Sequence, residues 1–130
     1  MAIIQVTENN FETTISKGVV LLDFWAAWCA PCRAFGPVFE AAAARHPEVV
    51  FGKVDVEAET GLAESFHIQS IPTLMVLREG VLVALQPGAM PAAALDEFIL
   101  KVQALDMDAV RRRIAMQEQT VSQAAAEGGL

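Results

Sequence analysis

The sequence predicts an α/β domain: a central mixed sheet of five strands flanked by four helices, with one further helix at the C-terminal end. Three observations predict it. Val19, Val20, Leu21, Leu22, Phe24 and Trp25 form a nearly continuous apolar run, as in a strand covered on both faces. Phe35, Val38, Phe39 and Ala42 recur at the helical spacing i, i+3, i+4, i+7. The elements then follow in the order β-α-β-α-β-α-β-β-α. Early alternation gives parallel strands with helices on both faces, and the closing hairpin adds antiparallel ones.

Residues 3–6 are β-prone and short. Thr7, Glu8, Asn9 and Asn10 offer caps for a helix carrying Phe11 and Ile15, which ends at Lys17-Gly18. The apolar strand 19–25 follows. The second helix starts near Cys29 or Ala30 and closes at His46-Pro47, with Pro37 expected to kink it. Residues 49–56 form the next strand, and Leu62, Ala63 and Phe66 mark a short helix. A strand over 71–77 has Pro72 at its entry. Arg78-Glu79-Gly80 turns the chain into a strand over 81–85, which Pro87-Gly88 breaks. Pro91 suits the first turn of a helix with Leu95, Phe98, Ile99 and Val102 on its face. Past residue 105, Met107, Val110, Ile114 and Val121 keep helical spacing, interrupted by Gln117. Residues 124–130 read as a fraying tail.

The composition narrows the function. The 130 residues suffice for one core, and 54% hydrophobic with 19% charged residues is a foldable balance. A net charge of −7 disfavours nucleic acid, which needs clustered Lys and Arg. Arg111, Arg112 and Arg113 point in different directions on a helix, so they read as a solvated surface. No apolar run approaches the roughly 20 residues that span a bilayer. The first ten residues lack the basic start and apolar stretch of a signal peptide, which gives a cytoplasmic expectation.

Cys29 and Cys32 are the only cysteines. Two residues separate them, and the first lies where the apolar strand ends and a helix begins. A helix N-terminus stabilises a thiolate, so the pair suits thiol–disulfide exchange. In a reducing compartment such a pair is catalytic or metal-binding. Structural zinc needs four ligands. The only histidines, His46 and His67, lack ligand spacing to the cysteines, so no metal and no cofactor is expected.

Asp23-Phe24-Trp25-Ala26-Ala27-Trp28-Cys29-Ala30-Pro31-Cys32-Arg33, followed about forty residues later by Ile71-Pro72-Thr73, resembles the thioredoxin family. The resemblance runs from about residue 3 to residue 105. Glu57-Ala58-Glu59 and residues 66–72 look most like the second bacterial type, whose members often carry an N-terminal zinc-binding segment. This chain has no cysteine before residue 29. Ala30 stands where the family usually has Gly, and residues 106–130 have no counterpart in a minimal thioredoxin. The expected division is therefore a thioredoxin domain over 1–105 and a helical extension over 106–130.

The resemblance implies a protein-disulfide reductase that takes protein disulfides as substrates and thioredoxin reductase as electron donor. Cys29 is the implied nucleophile and Cys32 the more buried resolving thiol, with Pro31 restricting the backbone between them. Asp23 is the implied proton acceptor for Cys32, modulated by Lys53; the plainer reading is an Asp23–Lys53 salt bridge. Ile71-Pro72 is expected to carry a cis bond facing the cysteines. Trp28, Ala30, Pro31, Ile71, Pro72, Gly88 and Ala89 are expected to form an uncharged substrate rim. Trp25 reads as core support, and Trp28 as either loop packing or contact surface. A competing reading is an interaction or chaperone module of the same fold. In it the stripe on the extension packs on its own domain, pairs two chains as a homodimer, or holds a client.

Overall fold

The computed structural model describes residues 3–127. Its elements are β1 (Ile4–Gln5), α1 (Phe11–Ile15), β2 (Val19–Trp25), α2 (Ala30–Arg45), β3 (Val50–Asp55), α3 (Thr60–Ser65), β4 (Thr73–Arg78), β5 (Val81–Pro87), α4 (Ala92–Gln103) and α5 (Met107–Glu127). The five strands form one sheet in the order β1-β3-β2-β4-β5. β1, β3 and β2 run parallel, and β4 and β5 are joined to the sheet by antiparallel pairing. The mixed sheet with four flanking helices and an added C-terminal helix is the architecture the sequence predicts.

Alternation along β2 divides the core. Val19 and Leu21 pack with Phe35 and Phe39 of α2 and with Leu95 and Ile99 of α4. Val20, Leu22 and Phe24 point the other way, onto Phe11 of α1 and Leu62 of α3. Such alternation follows from the two-residue period of a strand. Gly52 in β3 has the Val6 and Leu22 side chains where a Cβ would stand, 2.6 and 2.8 Å away. The sheet closes over those two apolar groups only with a glycine there.

Several boundaries differ from the sequence expectation. Pro87 does not break β5; it pairs with Thr73 as the last residue of that strand. Edge strands tolerate proline because the outward N–H needs no partner in the sheet. Pro91 sits at the N-cap of α4, one position before its first turn. Pro37, by contrast, lies inside α2 as expected, and the helix runs on through it to Arg45 with His46 as its C-cap. The tail expected from Ala124 is helical through Glu127, while Gly128, Gly129 and Leu130 lie outside the described residues.

α5 is anchored to the domain at its start. Asp106 Oδ1 accepts from the Asp108 and Ala109 backbone N–H groups, a side-chain N-cap. Met107 is buried, and Val110 and Ile114 are half-covered. Arg111 donates to Glu79 at 2.8 Å and to Asp108 at 2.9 Å. Val121 and Met116 are exposed, so the stripe packs on its own domain only over its first half. Arg78 at the end of β4 donates to the carbonyls of Val102, Gln103 and Leu105, which closes the C-terminal end of α4.

Candidate active site

The end of β2 delivers Cys29 to the head of a helix. Cys29 is the N-cap of α2, with extended backbone at φ −87° and ψ 112°. Its Sγ accepts from the Cys32 N–H at 3.2 Å, and its carbonyl accepts from the Arg33 N–H at 3.1 Å. Pro31 occupies the first turn, where the missing N–H costs nothing. Sulfur thus takes the place that a Ser or Asp oxygen usually fills at a helix start. It lies at the positive end of a sixteen-residue helix. Cys29 and Cys32 are joined as a disulfide, with Cα atoms 5.2 Å apart.

The burial contrast expected between the two cysteines is not present in the bridged form. Cys29 is 5% exposed and Cys32 3%. Both cysteines pack with Ala26, and Trp25, Val56 and Ile71 lie against them. The asymmetry that remains is positional: Cys29 caps the helix and Cys32 lies within it.

The Ile71–Pro72 peptide is cis, and the Ile71 carbonyl oxygen lies 3.7 Å from Cys29 Sγ. Gly88 donates its N–H to the Pro72 carbonyl at 2.8 Å, at φ +92°. That left-handed conformation favours glycine. Of the expected rim, Trp28, Ala30, Pro31, Gly88 and Ala89 are exposed and Ile71 half-buried; Pro72 is buried. Trp28 is 66% exposed, so most of its ring is not packed under the loop. It shares a shallow groove with Val56, Ile68, Gln69, Ser70 and Ile71. The sequence reading missed Val56, Ile68, Gln69 and Ser70 as site residues. Three of these immediately precede Ile71-Pro72, and their position in the chain could have marked them.

Asp23 is fully buried in β2. Burial pushes its pKa up to about 6, against a smaller opposing pull from the Lys53 charge. Among the described residues neither carboxylate oxygen has a hydrogen-bond partner. Lys53 stands opposite Asp23 in the β2–β3 register, yet the salt bridge of the plainer reading is not formed. The Lys53 ammonium instead lies 4.6 Å from the Trp25 ring centroid. Trp25 also packs against Ala26 and the two cysteines, as core support would.

The remaining candidates lie elsewhere. His46 joins Asp96 at 2.8 Å, tying the end of α2 to α4. His67 occupies a left-handed turn after α3. Among the described residues no group of three His, Cys, Asp or Glu side chains could hold a metal ion, and no helix is long and apolar enough to cross a membrane. The grooves flanking Val121 on α5 share no residue with the sulfur site.

Comparison with known proteins agrees with this geometry. The family model described as Thioredoxin matches residues 2–101. A putative thioredoxin 2 of Streptomyces coelicolor is 53% identical over 116 residues, covering 88% of this chain and 87% of the relative. An alignment of that length runs past residue 105 into the extension. The thioredoxin of Bacillus subtilis is 39% identical over 102 residues, covering 78% of this chain and 98% of the relative. That of Staphylococcus saprophyticus is 41% identical over the same length.

Proposed function

The chain belongs to the thioredoxin family and is a thioredoxin-type protein-disulfide reductase, and from that premise we propose which residue performs each step. The Cys29 thiolate attacks one sulfur of a substrate disulfide. A Cys29–substrate disulfide forms, and the other substrate sulfur leaves as a thiolate. Cys32 then gives its proton to the Asp23 carboxylate. The resulting thiolate attacks Cys29 Sγ, closes the Cys29–Cys32 bond and expels the second substrate sulfur. The bridged pair is the oxidised end of this cycle. The observation that carries the assignment is Cys29 as the sulfur N-cap of α2.

Substrate would lie across Trp28, Ala30, Pro31, Ile71, Gly88 and Ala89. An extended segment would pair with the Ile71 backbone beside the sulfur. Trp28 offers an exposed ring. Gly88, beside Pro72, has open space where a Cβ would stand.

Thioredoxin reductase is the proposed electron donor, so the protein carries electrons from that enzyme to protein disulfides. The proposed compartment is the cytoplasm, where such a dithiol is kept reduced. Residues 1–105 would form the catalytic domain and 106–130 an extension. Val121 and Met116, exposed on α5, support pairing of two chains there; sizing after truncation at Leu105 tests it. The reductase assignment is tested by insulin-disulfide reduction with a dithiol or thioredoxin reductase as electron source. Turnover should vanish in Cys29→Ser. Inertness of the parent with retained client binding would favour the module reading instead.

A further inference from the structure

Trp25 takes no part in the steps above, yet its ring holds the ammonium of the residue opposite Asp23. It follows Asp23 by two residues in β2, so both side chains point to the same face of the sheet. Lys53 shares that face from β3, directly opposite Asp23. Two arrangements are open to its ammonium: contact with the buried carboxylate, or the face of the indole. The structure has the second, with Nζ 4.6 Å from the ring centroid. Among the described residues Lys53 has no carboxylate within ion-pair distance. Gly36 of α2 lies above the ammonium; a Cβ there would come within 3.9 Å of it.

We propose that Trp25 is a positioning residue: by binding the Lys53 ammonium on its ring, it keeps that charge from pairing with Asp23 and so keeps the carboxylate basic enough to accept the Cys32 proton. The catalytic half of this statement rests on the assignment of Asp23 as proton acceptor. An ammonium over an indole face is attracted by the ring quadrupole. A directly paired ammonium lowers a carboxylate pKa by about 1–3 pH units, which would make Asp23 a poorer base. Other elements on Asp23's face bring little charge. β4 sets Leu74 opposite it, and α2 and α4 bring Phe35, Gly36, Leu95 and Ile99 to that side. Cys29 and Cys32 at the head of α2 are bridged to each other here and do not titrate. Lys53 is the charge that pulls on Asp23, against the larger effect of burial.

The test is the carboxyl titration of Asp23 in the oxidised protein, followed by carbon-13 NMR, in which the bridged cysteines do not titrate. The variants are Trp25→Leu, Trp25→Phe, Lys53→Met and the double variant Trp25→Leu/Lys53→Met. Trp25→Leu should lower the Asp23 midpoint by about one pH unit, and Trp25→Phe, with a weaker ring, by less. Lys53→Met should raise it. With Lys53 already replaced, Trp25→Leu should no longer lower it. The proposal is overturned if Trp25→Leu leaves the midpoint unchanged or raises it. It is equally overturned if the drop is the same in both backgrounds, since the ring would then act through burial alone. Should Trp25→Leu fail to fold, Trp25→Phe with and without Lys53→Met gives the same comparison. Failure of Asp23 as proton acceptor would show in turnover and leave this titration intact, so the two outcomes are separable.

Discussion

Asp23 and Lys53 stand opposite each other across β2 and β3, and their charges are not paired. The carboxylate is fully buried, with no hydrogen-bond partner among the described residues. Folding therefore raises its pKa from 3.8 to about 6, through burial first and against the weaker pull of Lys53. The native state holds this proton more tightly than the unfolded chain does. The group's contribution is thus most favourable below about pH 4 and becomes a cost as pH rises through 6. Asp23→Asn should stabilise the oxidised protein at pH 7 by about 3 kcal/mol, with the advantage fading toward pH 4. Urea unfolding at the two pH values measures it; a difference independent of pH would contradict the burial account.

The same substitution separates stability from chemistry. Asp23→Asn should slow release of the substrate from its disulfide with Cys29 by about 100-fold or more, the scale of a lost proton-transfer group. Formation of that mixed disulfide should proceed at the parent rate. Rapid-quench trapping of the adduct reads both steps. Equal release rates in variant and parent would remove Asp23 from the mechanism.

Trp28 separates recognition from reaction. Its ring is mostly exposed, in the groove it shares with Ile71. Trp28→Ala should raise KM for a protein disulfide by about tenfold, the scale of losing an aromatic contact. The rate with a small aromatic disulfide, which needs no groove, should stay near that of the parent. A matched loss with both substrates would place the ring in the support of the active-site loop instead.

Much of this was legible in the chain. The unbroken apolar run of β2 and the period of Phe35, Phe39 and Ala42 mark the sheet and the helix above it, because strand and helix periodicities are local. The site residues on β2 and α2 follow, since the cysteines sit at a strand-to-helix junction. What the sequence did not reveal depends on distant partners. The choice of Lys53 between Asp23 and Trp25 is a competition among three side chains on two strands. Cys29 and Cys32 are both buried, with Val56 and Ile71, distant in the chain, packed against them. The groove residues Ile68, Gln69 and Ser70 carry no pattern of their own. Pro87 read as a breaker because the edge position that tolerates it is a property of the assembled sheet.

Arg78 illustrates the same point for stability. It reads as a turn residue, yet its guanidinium binds three carbonyls at the end of α4 and the approach to α5. Arg78→Met should destabilise the protein by about 2–3 kcal/mol, since several charge-assisted hydrogen bonds to carbonyls are lost. Turnover should be unchanged where the variant is folded. Arg78 pairs with Val19 at the start of β2, at the opposite end of that strand from the sulfurs. Thermal unfolding and insulin reduction together check both halves.

The most direct measurement is the alkylation rate of each thiol in the reduced protein as a function of pH, with adducts located by mass spectrometry. Capping of α2 by sulfur predicts that Cys29 is modified first and that its rate titrates clearly below the free-thiol value of about 8.5, with Cys32 slower throughout. Equal rates for the two, or a Cys29 midpoint at or above that value, would contradict the account.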